Sequence, residues 1–318
     1  MAERITIPVR LLPRAYVAGA IYPRQAHHAF RERPNLLYHM AAKVIVPEHT
    51  MLITPLSQGF GAEVSQFDCA EGGAPEDIAR LQQAYSTYHL LIFRSAKPLA
   101  PERQVEITGW FGTLLAEEAR WTTLNNAEPS GHVVLPFHSD MSFLEDPLAG
   151  ISLYPEALPR TATTTSFVSN ALAWDRLTGA DKQQLAGRRA LHIYDGAANL
   201  GFDWPVFTYW HPACIAHAKT GRSMLFISEH HVEQIEGIEP AQCKALLQAV
   251  FAVLYAPEYR YEHIWHTGDL VVWDNFAIQH ARPAAADPAD GQRIMRRVQL
   301  GKAGFMAQAQ RVRQASGG

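Results

Sequence analysis

The sequence has few cysteines, no basic run and no long apolar run, and these absences exclude several classes of protein. Three scattered cysteines do not make a disulfide framework and favour a reducing compartment. A net charge of −3 without a cluster of Lys and Arg argues against a nucleic-acid surface. No apolar window reaches the length of a membrane span, and Arg and Pro interrupt every apolar stretch near the N-terminus. We therefore expect a cytoplasmic protein that acts on small molecules.

The length and composition fit one large domain. The chain has 318 residues, of which 47% are hydrophobic and 19% charged, enough for an ample core. Residues 1–50 are rich in Pro and Arg with weak periodicity, so we assign them as an N-terminal extension. One interpretation of this extension is an arm against a partner subunit in a homo-oligomer. We predict one domain over residues 51–302 and a C-terminal tail over residues 303–318.

The spacing of apolar residues predicts a few helices and many short strands. Helices are expected over Pro75–Tyr88, from about Pro101 to Ala119, near Asn170–Leu177 and over Pro240–Leu254. The predicted strands are Met51–Leu56, a strand entered near Val64, Leu90–Phe93, Val133–Leu135, Ile151–Tyr154, Thr163–Val168, His192–Tyr194, Ser223–Ser228, Tyr259–Trp265, Asp269–Trp273 and Arg293–Leu300. Such a pattern is typical of a closed double-sheet jelly roll, so we predict a mainly β fold with flanking helices.

Two short segments far apart in the chain carry the residues of a metal site. Phe137–Met141 contains a histidine and an aspartate, and Trp273–His280 ends on a second histidine. Two imidazoles and one carboxylate on one face of an octahedron leave three positions for a cosubstrate and O₂. A structural zinc site would close its fourth position instead. The pattern therefore predicts a non-haem Fe(II) site that consumes a 2-oxo acid and O₂.

The spacing explains how the first two of these side chains meet. His138 and Asp140 are two residues apart at the end of a predicted strand, so both leave the same face and can converge on one ion. His280 lies far away along the chain, so only the fold can bring it to the pair. An H-x-D pair alone is short enough to occur by chance, and the assignment therefore depends on its context.

Two arginines after the second segment indicate an anionic ligand. Arg293 and Arg297 are four apart on a predicted strand and share a face. A buried arginine without an anion costs free energy, so the distal carboxylate of 2-oxoglutarate is a natural partner for one of them, with the Thr165 hydroxyl as a second donor. The alternative is that Arg293, Arg296 and Arg297 form a solvated basic edge.

Several motifs taken together resemble one enzyme family. The chain is similar, over roughly Met51–Leu300, to the Fe(II)/2-oxoglutarate-dependent dioxygenases that include taurine dioxygenase and 2,4-dichlorophenoxyacetate dioxygenase. The matching motifs are Ile53-Thr54-Pro55-Leu56, Phe137-His138-Ser139-Asp140 with Phe143 and Pro147, Thr163-Thr164-Thr165, His217-x-x-Thr220-Gly221-Arg222, Trp273-Asp274-Asn275 with His280, and Arg293-Ile294-Met295-Arg296-Arg297. The resemblance implies a double-stranded β-helix core and the use of Fe(II), 2-oxoglutarate and O₂.

The resemblance also implies roles for single residues. It implies His138, Asp140 and His280 as the iron ligands. It further implies Arg293 and Thr165 as the residues that hold the far carboxylate of 2-oxoglutarate.

The residues expected to contact the substrate indicate that the substrate carries an acidic group. Arg297 corresponds to the position that meets the acidic group of the substrate in taurine-type members. Val134 stands where the taurine enzyme has a polar sulfonate contact, so taurine is not expected, and Met141 is the third expected substrate contact. Residues 195–210, where the family has a lid, are aromatic, which favours either an apolar substrate body or internal packing. The aromatic residues are Phe202, Trp204, Phe207, Tyr209 and Trp210.

The remaining histidines are not predicted to bind metal. His263 and His266 differ by three on a strand and should face opposite ways. The adjacent pairs His27–His28 and His230–His231 are interpreted as surface or hydrogen-bonded residues, and Glu229 as a candidate cavity residue.

The sequence thus predicts an oxygenase that oxidises an unactivated C–H bond of a small organic acid and releases succinate and CO₂. Hydroxylation is the default outcome, with desaturation, cyclisation or fragmentation in a natural-product pathway as alternatives. In halogenases of the family a small residue replaces the carboxylate ligand, so Asp140 argues against halogenation. Two other classes stay open: a zinc-dependent hydrolase on the same ligands, and a jelly roll that binds a small acid as a sensor.

Overall fold

A computed structural model of the chain describes residues 51–95, 97–115, 120–196 and 204–315. The predicted N-terminal extension, including His27–His28, lies outside the described residues, and so does Phe202. The strands are β1 Leu52–Pro55, β2 Ala62–Ser65, β3 Leu90–Arg94, β4 Thr122–Asn125, β5 Leu135–His138, β6 Gly150–Ala157, β7 Thr164–Ser169, β8 Arg189–Tyr194, β9 Phe207–Pro212, β10 Cys214–Ala216, β11 Ser223–Leu225, β12 Val232–Ile235, β13 Tyr261–Ile264, β14 Asp269–Asp274, β15 Ile278–Arg282 and β16 Ile294–Leu300. The helices are α1 Pro75–Tyr88, α2 Pro101–Gly109, α3 Pro129–His132, α4 Asn170–Arg176, α5 Gly179–Leu185, α6 Pro240–Leu254 and α7 Phe305–Ala315.

Two sheets form the body of the molecule. The larger has seven strands in the order β1-β2-β3-β14-β6-β16-β4, and the smaller has four in the order β13-β7-β15-β5. The pairs within them are antiparallel except β2 with β3, which is parallel. A three-stranded sheet, β12-β8-β9, and the pair β10-β11 complete the β structure. The prediction of a mainly β fold with helices is confirmed.

The alternation of side chains along β14 shows how the core is layered. All six of its residues are buried, because the strand is covered on both faces. Val271 and Trp273 point into the core between the two sheets, where the Trp273 ring lies 5.5 Å from that of Phe167 on β7. Leu270 and Val272 point the other way, into a second core under α1 and α2. The space between the sheets is therefore packed at the level of Trp273, beside the strand that carries His280.

The helices cover the outer surfaces of the sheets. α1 buries Leu81, Ala84 and Tyr85 in the second core, and it begins at Pro75, whose missing N–H costs nothing at a first helical position. α6 buries an apolar stripe against β12, as its sequence predicts. None of the described helices is long and apolar enough to cross a bilayer.

Several predicted boundaries differ from the structure, among them those of the second helix and of the strand that carries His138. The second helix ends at Gly109 instead of Ala119, because Leu114 pairs with Leu300 on the edge of β16 and the chain must be extended there. The strand predicted over Val133–Leu135 begins at Leu135 and continues to His138.

Two segments assigned no regular structure contain some. Residues 207–212, expected in a lid, form β9 and pair with β8. Residues 303–318, interpreted as a tail, contain α7, which is fixed by Gln308: its side chain donates to the carbonyls of Asp146 and Ala303 and accepts from the Asp146 N–H.

Candidate active site

Three side chains meet where β5 and β15 lie side by side. His138 is the last residue of β5, and His280 pairs directly with it across the two strands. Asp140 follows in the turn, and its Oδ1 lies 3.1 Å from His138 Nε2 and 3.7 Å from His280 Nε2. One ligand atom from each residue falls within 4.8 Å of the others. The structure therefore brings together the three residues that the sequence predicted to converge.

The turn after β5 orients the Asp140 carboxylate toward the His138 and His280 imidazoles. Met141 has a φ of 61°, an uncommon conformation for a residue with a side chain. The Asn275 side chain holds this turn, since its Oδ1 accepts from the Asp140 N–H at 2.9 Å and its Nδ2 donates to the carbonyls of Asp140 and Leu148 at 3.0 and 2.9 Å. Asn275 thus ties the loop after β14 to the site and is a supporting residue that the ligand pattern alone did not identify.

The hydrogen bond on the far side of His138 fixes which nitrogen faces the cluster. Its Nδ1 lies 2.8 Å from the Pro136 carbonyl, which can only accept, so Nδ1 carries a proton. Nε2 then faces the Asp140 carboxylate, and the contact is favourable only with a second proton or a cation between them. A metal ion in place of that proton fits the donor set, and the carbonyl contact is the kind of outer support that orients a ligating histidine.

Burial and neighbouring charges set the protonation of the other two residues. Burial alone would raise the pKa of Asp140, but the His138 hydrogen bond, the His280 and His138 imidazoles and the Arg297 guanidinium outweigh it and hold the pKa below its usual range. Burial, followed by repulsion from His138, lowers the pKa of His280 to about 3. Near neutral pH the site therefore presents an ionised carboxylate and a neutral His280 imidazole, the forms that bind a metal ion.

The family comparison covers most of the chain. The family described as "Taurine catabolism dioxygenase TauD, TfdA family" matches residues 52–299. The chain belongs to the TauD/TfdA family. This membership and the His/Asp cluster confirm the prediction of an Fe(II)/2-oxoglutarate-dependent dioxygenase and the prediction of Fe(II), 2-oxoglutarate and O₂ as its cofactor and cosubstrates.

The relatives of this dioxygenase are named for different substrates or products. It is 28% identical over 261 residues to an (S)-phenoxypropionate/alpha-ketoglutarate-dioxygenase from Sphingobium herbicidovorans, covering 72% of this chain and 88% of that one. It is 24% identical over 271 residues to the alpha-ketoglutarate-dependent 2,4-dichlorophenoxyacetate dioxygenase of Cupriavidus pinatubonensis, covering 73% and 91%. A shorter stretch of 88 residues, 28% of this chain and 29% of the other, is 40% identical to pentalenolactone F synthase from Streptomyces arenae.

Solved structures share the fold of this dioxygenase. A taurine dioxygenase from Burkholderia xenovorans superposes with a TM-score of 0.67 at 23% identity, covering 79% of this chain and 89% of that one. AAD-2, solved with Mn(II) and N-oxalylglycine, gives 0.67 at 22% identity, covering 80% and 98%.

A cavity of about 530 Å³ opens on the three clustered residues of the dioxygenase. Its walls are mostly apolar, and they include the predicted substrate contacts Val134, Met141 and Arg297. Trp204 and Phe305 close one side, with their ring centroids 5.3 Å apart, so α7 contributes to the cavity. Phe207 packs in the core instead, and Tyr209 and Trp210 belong to β9, so the aromatic segment is only partly a cavity wall.

Arg297 lies beside the cluster and carries a positive charge. Its Nη1 is 3.5 Å from Asp140 Oδ2, and its Nε donates to Thr122 Oγ1 at 3.2 Å. The guanidinium is partly exposed within the cavity. It can therefore meet an anionic group that approaches the metal side of the cavity.

Arg293 and Thr165 lie deeper, and neither lines the cavity itself. Arg293 is 3% exposed, and its Nε donates to Thr163 Oγ1 at 3.2 Å. Burial, and secondarily the charge of Arg282, lowers its pKa to about 10. Thr165 accepts a hydrogen bond from Trp265 Nε1 at 2.9 Å, which leaves its own hydroxyl proton to donate elsewhere.

The alternative of a solvated basic edge is wrong for two of its three arginines. Arg293 and Arg296 are both buried. Arg296 faces away from the cavity, where it donates to Glu156 at 2.9 Å and to Gln104 at 2.7 Å under α2.

Two histidines near the cluster were missed. His230 and His231 were interpreted as ordinary surface or hydrogen-bonded residues, but both line the cavity, with ring centroids 5.6 and 5.8 Å from that of His138. His231 is buried and shares a hydrogen bond of 2.9 Å with Ser142, and burial lowers the pKa of His230 to about 4. Glu229, proposed as the cavity residue of this segment, is exposed and does not line it. No sequence spacing relates these residues to the metal motif, so only the fold reveals them.

The prediction that His263 and His266 face opposite ways is also wrong. β13 ends at Ile264, and the chain then turns so that both imidazoles approach Asp269 Oδ2, at 3.1 and 3.6 Å. Arg94 pairs with the same Asp269 oxygen at 2.7 Å, so these contacts form a salt-bridge network.

A second His/Asp group lies on the other side of Trp273. It consists of His89, His217 and Asp274. Asp274 Oδ1 already accepts the N–H groups of Phe276 and Ala277 at 2.9 and 3.0 Å, and Oδ2 lies 3.1 Å from His217 Nε2. The Thr220 N–H donates to His217 Nδ1 at 3.2 Å, which places the imidazole proton on Nε2, toward the carboxylate. Asp274 and His217 are satisfied by these hydrogen bonds, whereas the buried His89 Nδ1 has no partner among the described residues. We interpret the Asp274–His217 contacts as a structural network.

Proposed function

We propose that this chain is an oxygenase that uses Fe(II) and 2-oxoglutarate to oxidise an unactivated C–H bond of a small organic acid, with release of succinate and CO₂. The observation that best supports this proposal is the convergence of His138, Asp140 and His280 at the wall of a large, mostly apolar cavity. The metal, held by these three residues, supplies the reaction of O₂ with the 2-oxo acid and the oxidation of the substrate. The two main sheets then form a double-stranded β-helix with the site between them.

The protein's own contribution is to hold the cosubstrate in one orientation. Arg293 is buried beside Thr163 and Thr165, and among the described residues no carboxylate forms an ion pair with it. The distal carboxylate of 2-oxoglutarate would supply that missing charge, and the Thr165 hydroxyl would donate a second hydrogen bond. The 2-oxo acid end is then directed toward the metal ligands.

The substrate is proposed to be a carboxylic acid with an apolar, ring-sized body. Arg297 offers a fork of donors next to Asp140, and the geometry of such a fork matches a carboxylate. Much of the remaining wall is apolar or aromatic, including Met141, Trp204 and Phe305. Apolar walls with few polar groups are typical of sites that bury the body of a ligand and orient it through one charge. The named activities of two relatives on phenoxypropionate and 2,4-dichlorophenoxyacetate agree with such a substrate.

One observation favours a second outcome of the same chemistry. The stretch that is 40% identical to pentalenolactone F synthase is the most similar segment among the relatives described above. An enzyme of a natural-product pathway, in which the oxidation leads to desaturation, cyclisation or fragmentation, is therefore the second candidate.

A succinate assay tests this proposal. The purified protein would be incubated with Fe(II), ascorbate and 2-oxoglutarate in the presence of phenoxyalkanoic acids, arylpropionic acids, terpenoid acids, alkyl sulfates and taurine. We expect succinate that depends on O₂ and on at least one apolar acid, no stimulation by taurine, and no activity in His280→Ala. Product formation without O₂ would instead identify a hydrolase. Binding of 2-oxoglutarate with no succinate under any acid would identify a sensor.

A further inference from the structure

A separate cavity lies on the other face of the large sheet from the metal ligands. Its volume is about 290 Å³, and we call it the outer cavity. Successive side chains of β14 alternate between the two faces, so Asp274 leaves the same face as Val272 and the opposite face from Trp273. Trp273 lines the active-site cavity and Asp274 lines the outer cavity. Among the described residues none lines both, so the sheet separates the two cavities.

The wall of the outer cavity is mostly apolar. Its apolar side chains come from the turn after α2, the hairpin β10-β11, the loop after β14 and the end of β16, and they include Phe111, Ile215, Met224, Phe276 and Leu300. An apolar cavity of half this volume is enough to hold a benzene ring. The outer cavity therefore has the size and the surface to bury a ring-sized molecule.

One polar group in this wall has no partner. Tyr85 is 4% exposed, and its hydroxyl forms no hydrogen bond within the described part of the chain. A buried tyrosine hydroxyl is normally hydrogen-bonded. Burial, and secondarily the charge of Asp274, raises the pKa of Tyr85, so the hydroxyl keeps its proton and can both donate and accept.

The hydroxyl of Tyr85 lies at the same end of the outer cavity as Asp274. A Cβ at position 150 would be only 2.8 Å from the Tyr85 hydroxyl oxygen, which places that oxygen directly over Gly150. Gly150 is the partner of Asp274 between β6 and β14. A hydroxyl and a carboxylate therefore stand side by side in an otherwise apolar wall.

The charge of this end of the cavity selects the chemistry of a ligand. Asp274 already accepts hydrogen bonds from Phe276, Ala277 and His217, so it does not need a cation from a ligand, and a buried ammonium group would lose its hydration. An anionic group would be repelled by the carboxylate. Lys219 also lines the cavity, but it is exposed and its ammonium group stays in water. A neutral hydroxyl can donate to Asp274 and accept from Tyr85.

We propose that the outer cavity binds a small neutral alcohol with an apolar, ring-sized body, whose hydroxyl bridges Tyr85 and Asp274. This site lies outside the active-site cavity and goes beyond the proposed oxidation. Asp274 and Phe276 flank Asn275, the residue that holds the turn of Asp140, so a molecule bound there contacts the loop that supports the metal ligands.

Methionine methyl signals distinguish binding in the two cavities. Met224 lines the outer cavity and Met141 lines the active-site cavity. Protein loaded with Zn(II) and labelled with carbon-13 at its methionine methyl groups would be titrated with benzyl alcohol and, separately, with toluene, which has the same ring without the hydroxyl. The variants Met224→Leu and Met141→Leu assign the two signals. We expect benzyl alcohol to shift the Met224 signal in a saturable manner.

Two variants test the contacts. Tyr85→Phe removes a hydroxyl that has no partner in the protein, so the fold should be kept. The Kd of benzyl alcohol, measured at Met224, should rise by about 3- to 10-fold, the range of one lost hydrogen bond, and the Kd of toluene should stay within about 2-fold. Ala216→Phe places a large side chain at an exposed position of the cavity wall and should abolish the Met224 shift. Tyr88→Phe, on the same helix but outside the cavity wall, is the matched control and should change neither Kd.

Three results would overturn the inference. They are a Met224 signal that benzyl alcohol does not shift, a benzyl alcohol response confined to Met141, and an equal change of the Kd of both ligands in Tyr85→Phe. Failure of the protein to bind Fe(II) or 2-oxoglutarate would refute the proposed function and would leave this inference standing, because the outer cavity contains none of the proposed metal or cosubstrate residues.

Discussion

His138 and His280 are direct partners across two antiparallel strands, and their ring centroids lie 4.4 Å apart. The register of β15 on β5 therefore sets the distance between two of the three candidate ligands. On its other edge β15 pairs with β7, where His280 lies opposite Phe167 and Ala281 opposite Ser166. A slip of one residue would turn every one of these side chains to the other face of the sheet.

Arg297 should act on the substrate and not on the cosubstrate. Arg297→Met removes the donors beside Asp140, and we expect the KM of the best acid in the succinate assay to rise by about 10-fold or more. The Kd of 2-oxoglutarate should stay within about 2-fold of the wild-type value, since we propose that Arg293 and not Arg297 holds its distal carboxylate. Arg297→Lys keeps the positive charge but loses the two-pronged guanidinium. Its KM for the acid should therefore lie between those of the wild type and of Arg297→Met. A larger effect on 2-oxoglutarate than on the acid would contradict this division.

Thr165 is predicted to have two roles that substitutions can separate. Thr165→Val leaves the N–H of buried Trp265 without its acceptor, and the free energy of unfolding should fall by about 1–3 kcal/mol. The same variant should weaken 2-oxoglutarate binding. Thr165→Ser keeps the hydroxyl and should preserve both properties. Urea denaturation measures the free energy of unfolding, and calorimetric titration measures the Kd of 2-oxoglutarate. If both quantities were equal in the Val and Ser variants, the Thr165 hydroxyl would have neither role.

Asp274 is expected to matter for stability and not for metal content. Asp274→Ala leaves two backbone N–H groups and His217 without an acceptor, which should cost about 3–5 kcal/mol of unfolding free energy. Metal analysis of the wild-type protein should give one tightly bound ion per chain. A second ion that disappears in His217→Ala would show that this group is a metal site instead of a hydrogen-bond network.

Much of the site could be predicted from the sequence, because metal ligands obey spacing rules. His138 and Asp140 converge as expected, although a turn held by Asn275 does this and not the alternation of a strand. The short segment Ile278–Arg282 was not predicted as a strand, since its hydrophobic pattern is weak and its stability comes from pairing on both edges.

The wrong predictions of the second helix and of the C-terminal segment share a physical cause. The helix from Pro101 is amphipathic for long enough to suggest that it continues, but the bridge between Leu114 and Leu300 requires an extended chain. α7 was overlooked because its packing against Trp204 and Phe207 depends on segments far away in sequence. In each case a tertiary contact overrides the local preference.

Stability should decrease as the pH falls below neutrality. Burial lowers the pKa of His192 to about 3 and of His89 to about 4, from an ordinary value of 6.5. The unfolded chain therefore binds more protons than the folded one between about pH 6.5 and pH 4, and the free energy of unfolding must fall as the pH drops through this window. Urea denaturation of the metal-free protein at pH 7.5, 6 and 5 measures how steeply the free energy of unfolding depends on pH. His192→Asn should make the unfolding free energy depend less steeply on pH.

The most direct test of the account is the metal affinity of ligand variants. Anaerobic equilibrium dialysis with Fe(II) should give one ion per wild-type chain. Asp140→Ala and His280→Ala should each lose at least about 100-fold in affinity, more than the 10- to 100-fold typical of residues that only orient a ligand. His266→Ala, a control away from the cavity, should bind as the wild type does. Unchanged Fe(II) affinity in folded Asp140→Ala and His280→Ala proteins would contradict the assignment of the site.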